Sequence, residues 1–172
     1  PTGSFGSAIS NSVLEHIPVI QPVLNEVGRI LQPGGYFYFT VPNQRFRDQL
    51  WGMKVLKRLG LGALANNYSK FFNKISRHIN LDPPEVWLNR LKTAGFDVVE
   101  YKHYFPEKAL HILERGHAAG LPNLLWKKLF GKWVLFPKRN NPFIHFNKVC
   151  RLVKDPFDDE GTCTFYLARR NS

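Results

Sequence analysis

Val19, Ile20, Val23, Leu24, Val27, Ile30 and Leu31 recur at three- and four-residue spacing, which predicts a helix with one apolar face. Gln32-Pro33-Gly34-Gly35 then predicts its end, because proline cannot continue the ladder and glycine accepts the left-handed stop conformation. Tyr36 to Val41 (YFYFTV) is rich in aromatic and β-branched residues and reads as a buried strand closed by Pro42-Asn43. Ser4 to Ser10, small and apolar, precedes the helix as a further strand, so the opening of the chain is a βαβ unit.

From Arg45 to Gly62 the pattern is amphipathic and basic: Leu50, Trp51, Val55, Leu56 and Leu59 alternate with Lys54, Lys57 and Arg58, and Gly60 and Gly62 terminate or kink the helix. Asp82-Pro83-Pro84 opens another helix, with Asp82 suited to the N-cap and proline to the first turn. Val86, Trp87, Leu88 and Leu91 supply its apolar face, and Ala94-Gly95 stops it. Phe96 to Tyr104 and Thr162 to Ala168 read as strands, with helical stretches around Leu110 to Glu114 and Leu124 to Phe130 between them. The expected organisation is a βαβ core over 4–43, a basic helical insertion over 44–81, a helix and strand over 82–104, a basic aromatic insertion over 105–160, and a terminal strand over 161–170.

Length and composition fit this picture. At 172 residues and 44% hydrophobic content the chain has the size of a single domain, and its 14% aromatic content excludes a disordered tail. Glycine and proline follow no period, which excludes collagen-like and repeat architectures. The two cysteines, Cys150 and Cys163, form no CxxC pair, so a disulfide framework or a cysteine-based metal site is not expected. No apolar run reaches the roughly 18–20 residues that would span a bilayer, and no signal core follows a charged N-terminal flank.

The formal charge is +11, but it is regional. Residues 44–81 and 126–154 together hold 16 basic side chains and one acidic one, Asp48, against 8 basic and 12 acidic elsewhere. The charge therefore belongs to the two insertions and not to the scaffold.

Three stretches carry a resemblance: SNSVLEHI (Ser10 to Ile17), RILQPGGYFYFTVPN (Arg29 to Asn43) and LNRLKTAGFDVVEYKHY (Leu88 to Tyr104). Together and in this order they resemble the class I methyltransferases that use S-adenosylmethionine (methyltransferase type 11-like), from the fourth strand to the sixth. The resemblance implies an α/β fold, a Rossmann-like methyltransferase sheet present here from the fourth strand onward, with helical insertions and a seventh strand near Thr162. It also implies that these residues are the C-terminal half of such a domain, with a sheet edge that calls for a pairing strand. The family's glycine-rich cofactor loop has no counterpart among Gly3, Gly6, Gly34-Gly35 and Gly60/Gly62, none of which stands in the required strand-to-helix context.

Carried onto this sequence, the resemblance sets Ser10, Asn11, Ser12, Val13 and Leu14 against the methionine arm of S-adenosylmethionine, Asn11 and Ser12 by hydrogen bonds and Val13 and Leu14 by apolar contact. Asn11 or Ser12 as a helix N-cap is the alternative, and the two roles are compatible. Relatives that bind a divalent cation carry ExxEH at this point; here Ser12 replaces the first Glu, which leaves Glu15 and His16, too few ligands for an expected metal site. For a catalytic base, His16 and His78 are the leading candidates, with Tyr68 and His103 further candidates by type, and a surface or structural role is the alternative for each histidine.

The insertions interleave cations with Trp51, Phe71, Phe72, Trp126, Phe130, Trp133, Phe136, Phe143 and Phe146, a composition suited to an anionic membrane surface or to a lid with a solvated outer face. The expected activity is methyl transfer to a small, hydrophobic, lipid-linked or glycan-type acceptor, in the cytoplasm and peripheral to the inner face of a membrane. Two alternatives remain: nucleic-acid binding, for which no RNA-binding signature is present, and a non-enzymatic or degenerate methyltransferase-fold partner module.

Overall fold

The computed structural model describes residues 1–119, 127–131 and 157–172. The expected helix at 124–126, the cations and aromatics of 132–154, Trp126 and Cys150 lie outside the described residues; 127–130 are helical. Strand β1 (Phe5–Asn11) leads through a 3-10 turn (Leu14–His16) to helix α1 (Gln21–Ile30) and strand β2 (Leu31–Pro42). Helices α2 (Gln44–Asp48), α3 (Trp51–Arg58), α4 (Gly62–Ser76) and α5 (Pro84–Thr93) precede strand β3 (Phe96–Tyr104), helix α6 (Glu107–Ala119) and strand β4 (Cys163–Arg170).

The sheet order is β1-β2-β4-β3. β1 and β2 are parallel, whereas β4 runs antiparallel to both neighbours. The last strand is thus inserted between β2 and β3, and β1 and β3 form the edges. This is the mixed α/β architecture implied by the resemblance.

Period-two alternation sorts the strands between two faces. Phe37, Phe39 and Val41 of β2 pair with Ala168, Tyr166 and Thr164 of β4, and all are buried. Trp87 and Leu91 of α5 and Leu24 of α1 close over them, with Phe39 and Tyr166 stacked at 4.7 Å between centroids. The opposite face presents Ile9, which is 79% exposed, beside Tyr38, its partner on β2. Gly28 lets α1 approach the end of α5: a Cβ there would come within 2.8 Å of the Ala94 carbonyl oxygen.

A second core lies between α2, α3, α4 and α6, where Phe46, Leu50, Met53, Ala65, Phe72 and Leu110 are buried together. Glu114 of α6 fastens it. Its carboxylate accepts from the Trp51 and Gly52 amides at 2.6 and 2.9 Å, and from the Tyr68 hydroxyl at 2.5 Å, so one buried acid caps the first turn of α3 and holds α4.

Several boundaries differ from expectation. α1 ends at Ile30, and Gln32 to Gly35 already belong to β2, because Leu31 is buried in extended conformation. The amphipathic run 45–62 is broken into α2 and α3, and Gly62 begins α4 instead of ending a helix. Asp82 is not the N-cap of α5: Pro83 holds that position, and the Asp82 carboxylate accepts from Arg90 at 2.7 Å. The stop at Gly95 (φ +81°) and the bounds of β3 agree with the sequence reading. Among the described residues, no helix is long and apolar enough to cross a membrane.

Candidate functional site

Because β4 is antiparallel to both β2 and β3, the strands β1, β2 and β3 all run in one sense, and their C-terminal ends share one end of the sheet. Asn11, Asn43 and Tyr104 stand there, together with Cys163 at the start of β4. Ligands of open α/β sheets sit beyond this end.

The chain leaving β1 is held to β2 by Thr40. Its hydroxyl donates to Asn11 Oδ1 at 2.5 Å and accepts from the Ser12 amide at 3.2 Å, and that amide also reaches the Thr40 carbonyl at 3.1 Å. Ser12 is in the left-handed region (φ 50°), an uncommon conformation for a residue other than glycine. Asn11 and Ser12 do not cap a helix: the N-cap of the following 3-10 turn is Val13, without a side-chain cap bond. Ser10 is half-buried, and Asn11, Ser12 and Val13 are exposed, Val13 to 49%. Leu14 departs from expectation. Its side chain is buried in the core and offers no surface to a ligand.

Beside this turn lies a constellation assembled from two distant segments. Glu15 is 1% exposed, and burial pushes its carboxyl group above the ordinary carboxylate range. Its Oε2 has no hydrogen-bond partner, while Oε1 lies 3.6 Å from His16 Nε2. His16 Nδ1 donates to the Arg77 carbonyl at 2.9 Å, since a carbonyl can only accept, and this fixes Nε2 toward Glu15. The His78 ring stacks on His16 at 5.5 Å and meets the edge of Phe46 at 4.9 Å.

His78 and His16 are thus brought together, but with unequal chemistry. Burial, followed by the neighbouring His16, pushes the His78 imidazole down to about 4, so at neutral pH it is a weak proton acceptor. His16, with an exposed ring, is the better placed base. Asn80 fastens the pair from below: its Nδ2 donates to the Leu14 and Ile17 carbonyls at 3.2 and 2.7 Å, and the amides of Ile79 and Asn80 both donate to the Glu15 carbonyl.

Tyr68 and His103 are not part of this cluster. Burial and its bond to Glu114 raise the Tyr68 phenol far above neutral pH, and the hydroxyl is already used in fastening α4, so it is no base. His103 lies on β3, with Nδ1 at 2.9 Å from Thr164 Oγ1, and burial lowers its pKa. Tyr104 and Cys163 pair across β3 and β4, and burial holds each proton on, to about 12. Among the described residues, no group of three histidine, cysteine, aspartate or glutamate side chains has a metal-holding arrangement.

Three contributors escape a linear reading. Thr40 carried a signal, since it is the polar member of an alternating strand and faces away from Phe39. Asn80 and the Arg77 carbonyl carried none, because their partners are distant in sequence and the bonds involve backbone oxygens.

Residues 1–101 match a family of proteins described as the methyltransferase domain. No protein of curated function matches the chain. Among solved structures, the [4+2]-cyclase SpnF superposes with a TM-score of 0.54 at 14% identity, over 99% of this chain and 51% of its own. The Haemonchus contortus phosphoethanolamine N-methyltransferase 2 in complex with S-adenosyl-L-methionine gives 0.53 at 16% identity, over 100% of this chain and 34% of its own. A SAM-dependent methyltransferase from Thermotoga maritima gives 0.50 at 14% identity, over 99% and 57%. At such identities the likeness is one of fold, and the chain spans roughly half of these structures or less.

Proposed function

The chain belongs to the methyltransferase-domain family, and from that premise we propose that its protein transfers the methyl group of S-adenosylmethionine to a small acceptor at the C-terminal end of the sheet. The observation that carries the reading is the meeting of the Asn11–Thr40–Ser12 turn with the Glu15–His16–His78 cluster at the end where the strands point. The residues fit one arm of such a cofactor: Asn11 and Ser12 offer polar groups on an exposed turn, and Val13 an exposed apolar surface beside them.

When bound, S-adenosylmethionine supplies an electrophilic methyl carbon on a sulfonium. Held by Ser10, Asn11, Ser12 and Val13, it would serve as the methyl donor for an acceptor placed in line with it. Alignment of the acceptor is the main demand, and positioning alone contributes several kcal/mol, up to about 7–11 in favourable cases. Ser10, Asn11, Ser12 and Val13 orient the methionine arm, and His16 Nε2 takes the acceptor's proton; the Arg77 carbonyl behind the ring holds Nδ1 as the donor, and Glu15 Oε1, 3.6 Å from Nε2, flanks the nitrogen that becomes charged. His78 supplies a neutral wall to this ring and not a second base.

The acceptor is hydrophobic and of the lipid-linked or glycan type. The helical layer of α3 and α4, which ends at Arg77 beside His16, exposes apolar side chains suited to guiding such a molecule. Calorimetric titration of the whole protein with S-adenosylmethionine and S-adenosylhomocysteine tests the reading. Binding of both is expected, weakened in Asn11→Ala; failure to bind either would overturn methyl transfer.

A further inference from the structure

The helical hairpin of α3 and α4 carries more apolar surface than its own core uses. Leu61, Leu64, Phe71 and Ile75 recur at helical spacing, and each is between 46% and 56% exposed. On the helix they form a stripe beside the buried line of Ala65, Ser69 and Phe72, so α4 is apolar on two adjoining flanks and only one of them is covered.

The remaining surface of the hairpin is cationic. From Gln49 to Leu81 there is no acidic residue. Lys57, Arg58, Lys70 and Lys74 are exposed, and none makes an ion pair with a described residue. Lys54 is different. Its ammonium is held by Glu107 at 2.6 Å and is spent inside the fold.

An apolar stripe bordered by cations that pair with no described residue matches one partner by charge and by shape. We infer that α3 and α4 form a membrane-docking surface that lays Leu61, Leu64, Phe71 and Ile75 into the interface of an anionic lipid bilayer. Lys57, Arg58, Lys70 and Lys74 meet the headgroups, each strengthening partitioning by about fivefold. A helical partner protein or a second copy of the chain needs no such excess of positive charge, and a neutral bilayer would leave the cations without counter-charge. The surface ends near the site: α4 runs from this stripe directly to Arg77, whose carbonyl orients His16. Docking therefore brings the candidate base to the membrane face, where a lipid-linked acceptor is concentrated. This acceptor rests on the proposed methyl transfer, whereas the docking itself does not.

Vesicle co-sedimentation of the whole protein tests the docking without reference to activity. Binding is expected to phosphatidylcholine vesicles containing phosphatidylglycerol, to be lost in high salt, and to be absent with phosphatidylcholine alone. Neutralising Lys57, Arg58, Lys70 and Lys74 to glutamine together should weaken it at least about tenfold, whereas Lys54→Gln should change it less than about twofold. Leu64→Ser with Phe71→Ser, both on the exposed flank, should weaken it similarly with circular dichroism unchanged. Equal binding to neutral vesicles, or binding unaffected by either set, would overturn the surface. So would a lipid-free dimer that Leu64→Ser with Phe71→Ser dissociates. Loss of S-adenosylmethionine binding with vesicle binding intact would remove the enzymatic reading and leave the docking in place.

Discussion

Asn80 holds Ile17: its side-chain amide donates to the Ile17 carbonyl at 2.7 Å and, from the same nitrogen, to the Leu14 carbonyl at 3.2 Å. One buried side chain thereby ties the segment after α4 to the turn after β1, and the Glu15–His16 pair lies between the two anchors. Asn80→Ala leaves both carbonyls without this donor, which should cost about 2–3 kcal/mol. Asn80→Asp should cost more, since a carboxylate would face two carbonyl oxygens. Chemical denaturation measures both, and an Asn80→Ala variant as stable as the parent would remove the proposed anchor.

His78 gives the protein a pH-dependent stability. The folded-state imidazole is lowered to about 4 by burial and then by His16, below the ordinary histidine value of about 6.5. The unfolded chain therefore binds the proton more readily. Above about pH 6.5 the ring is neutral in both states and stability is complete; it falls as pH drops from there toward 4. The shift alone corresponds to about 3 kcal/mol, and partial exposure of the ring reduces this to roughly 1–2. Urea midpoints between pH 7.5 and 4 should fall less steeply in His78→Gln than in the parent protein, and equal slopes would assign the dependence to other groups.

How far the sequence reveals this arrangement follows from which forces act locally. β2 is legible because aromatic and β-branched residues are consecutive there, and α5 because Trp87 and Leu91 face the core at helical spacing. α4 is not legible as a separate core helix: Leu64, Phe71 and Ile75 are exposed, so its apolar pattern does not mark its buried side. The insertion of β4 between β2 and β3 is a long-range pairing with no local signature. At the site, Asn11, Ser12, His16 and His78 are visible by residue type, and the last two do meet. Leu14 is buried in the core, a position that apolar character alone does not distinguish from a ligand contact. The low pKa of His78 depends on the burial of its ring, where it stacks on His16 and packs against Phe46, and those contacts exist only after folding.

Glu114 should be the main support of the helical layer. Its carboxylate serves two backbone amides and the Tyr68 hydroxyl from a position only 4% exposed. Glu114→Gln replaces one acceptor oxygen with a donor facing another donor, at an expected cost of about 2–4 kcal/mol. Tyr68→Phe should cost about 1–2 kcal/mol, and the double variant should cost less than the sum, as expected of residues sharing one bond. Gly52→Ala should reproduce part of the effect, because its Cβ would lie 2.6 Å from the Tyr68 ring. Strict additivity in the cycle would mean that the 2.5 Å contact contributes nothing in solution.

A Thr40 variant tests the proposed cofactor orientation apart from the proposed proton transfer. The Thr40 hydroxyl is bonded to Asn11 Oδ1 and the Ser12 amide, whereas the side chain makes no hydrogen bond to Glu15, His16 or His78. Thr40→Val keeps the shape and removes both bonds, so Asn11 loses its orientation while the histidine cluster is unchanged. If the turn holds the methionine arm, KM for S-adenosylmethionine should rise about tenfold, equivalent to about 1.4 kcal/mol, with kcat altered less than about threefold. Thr40→Ser should restore most of the loss, since it returns the hydroxyl. His16→Gln should show the reverse pattern, a fall in kcat of about a hundredfold or more with little change in KM, because a missing base acts in the transition state. If instead Thr40→Val lowered kcat at constant KM, the Asn11–Thr40 pair would belong to the acceptor side of the reaction, and the cofactor arm would have to lie elsewhere along the strand ends.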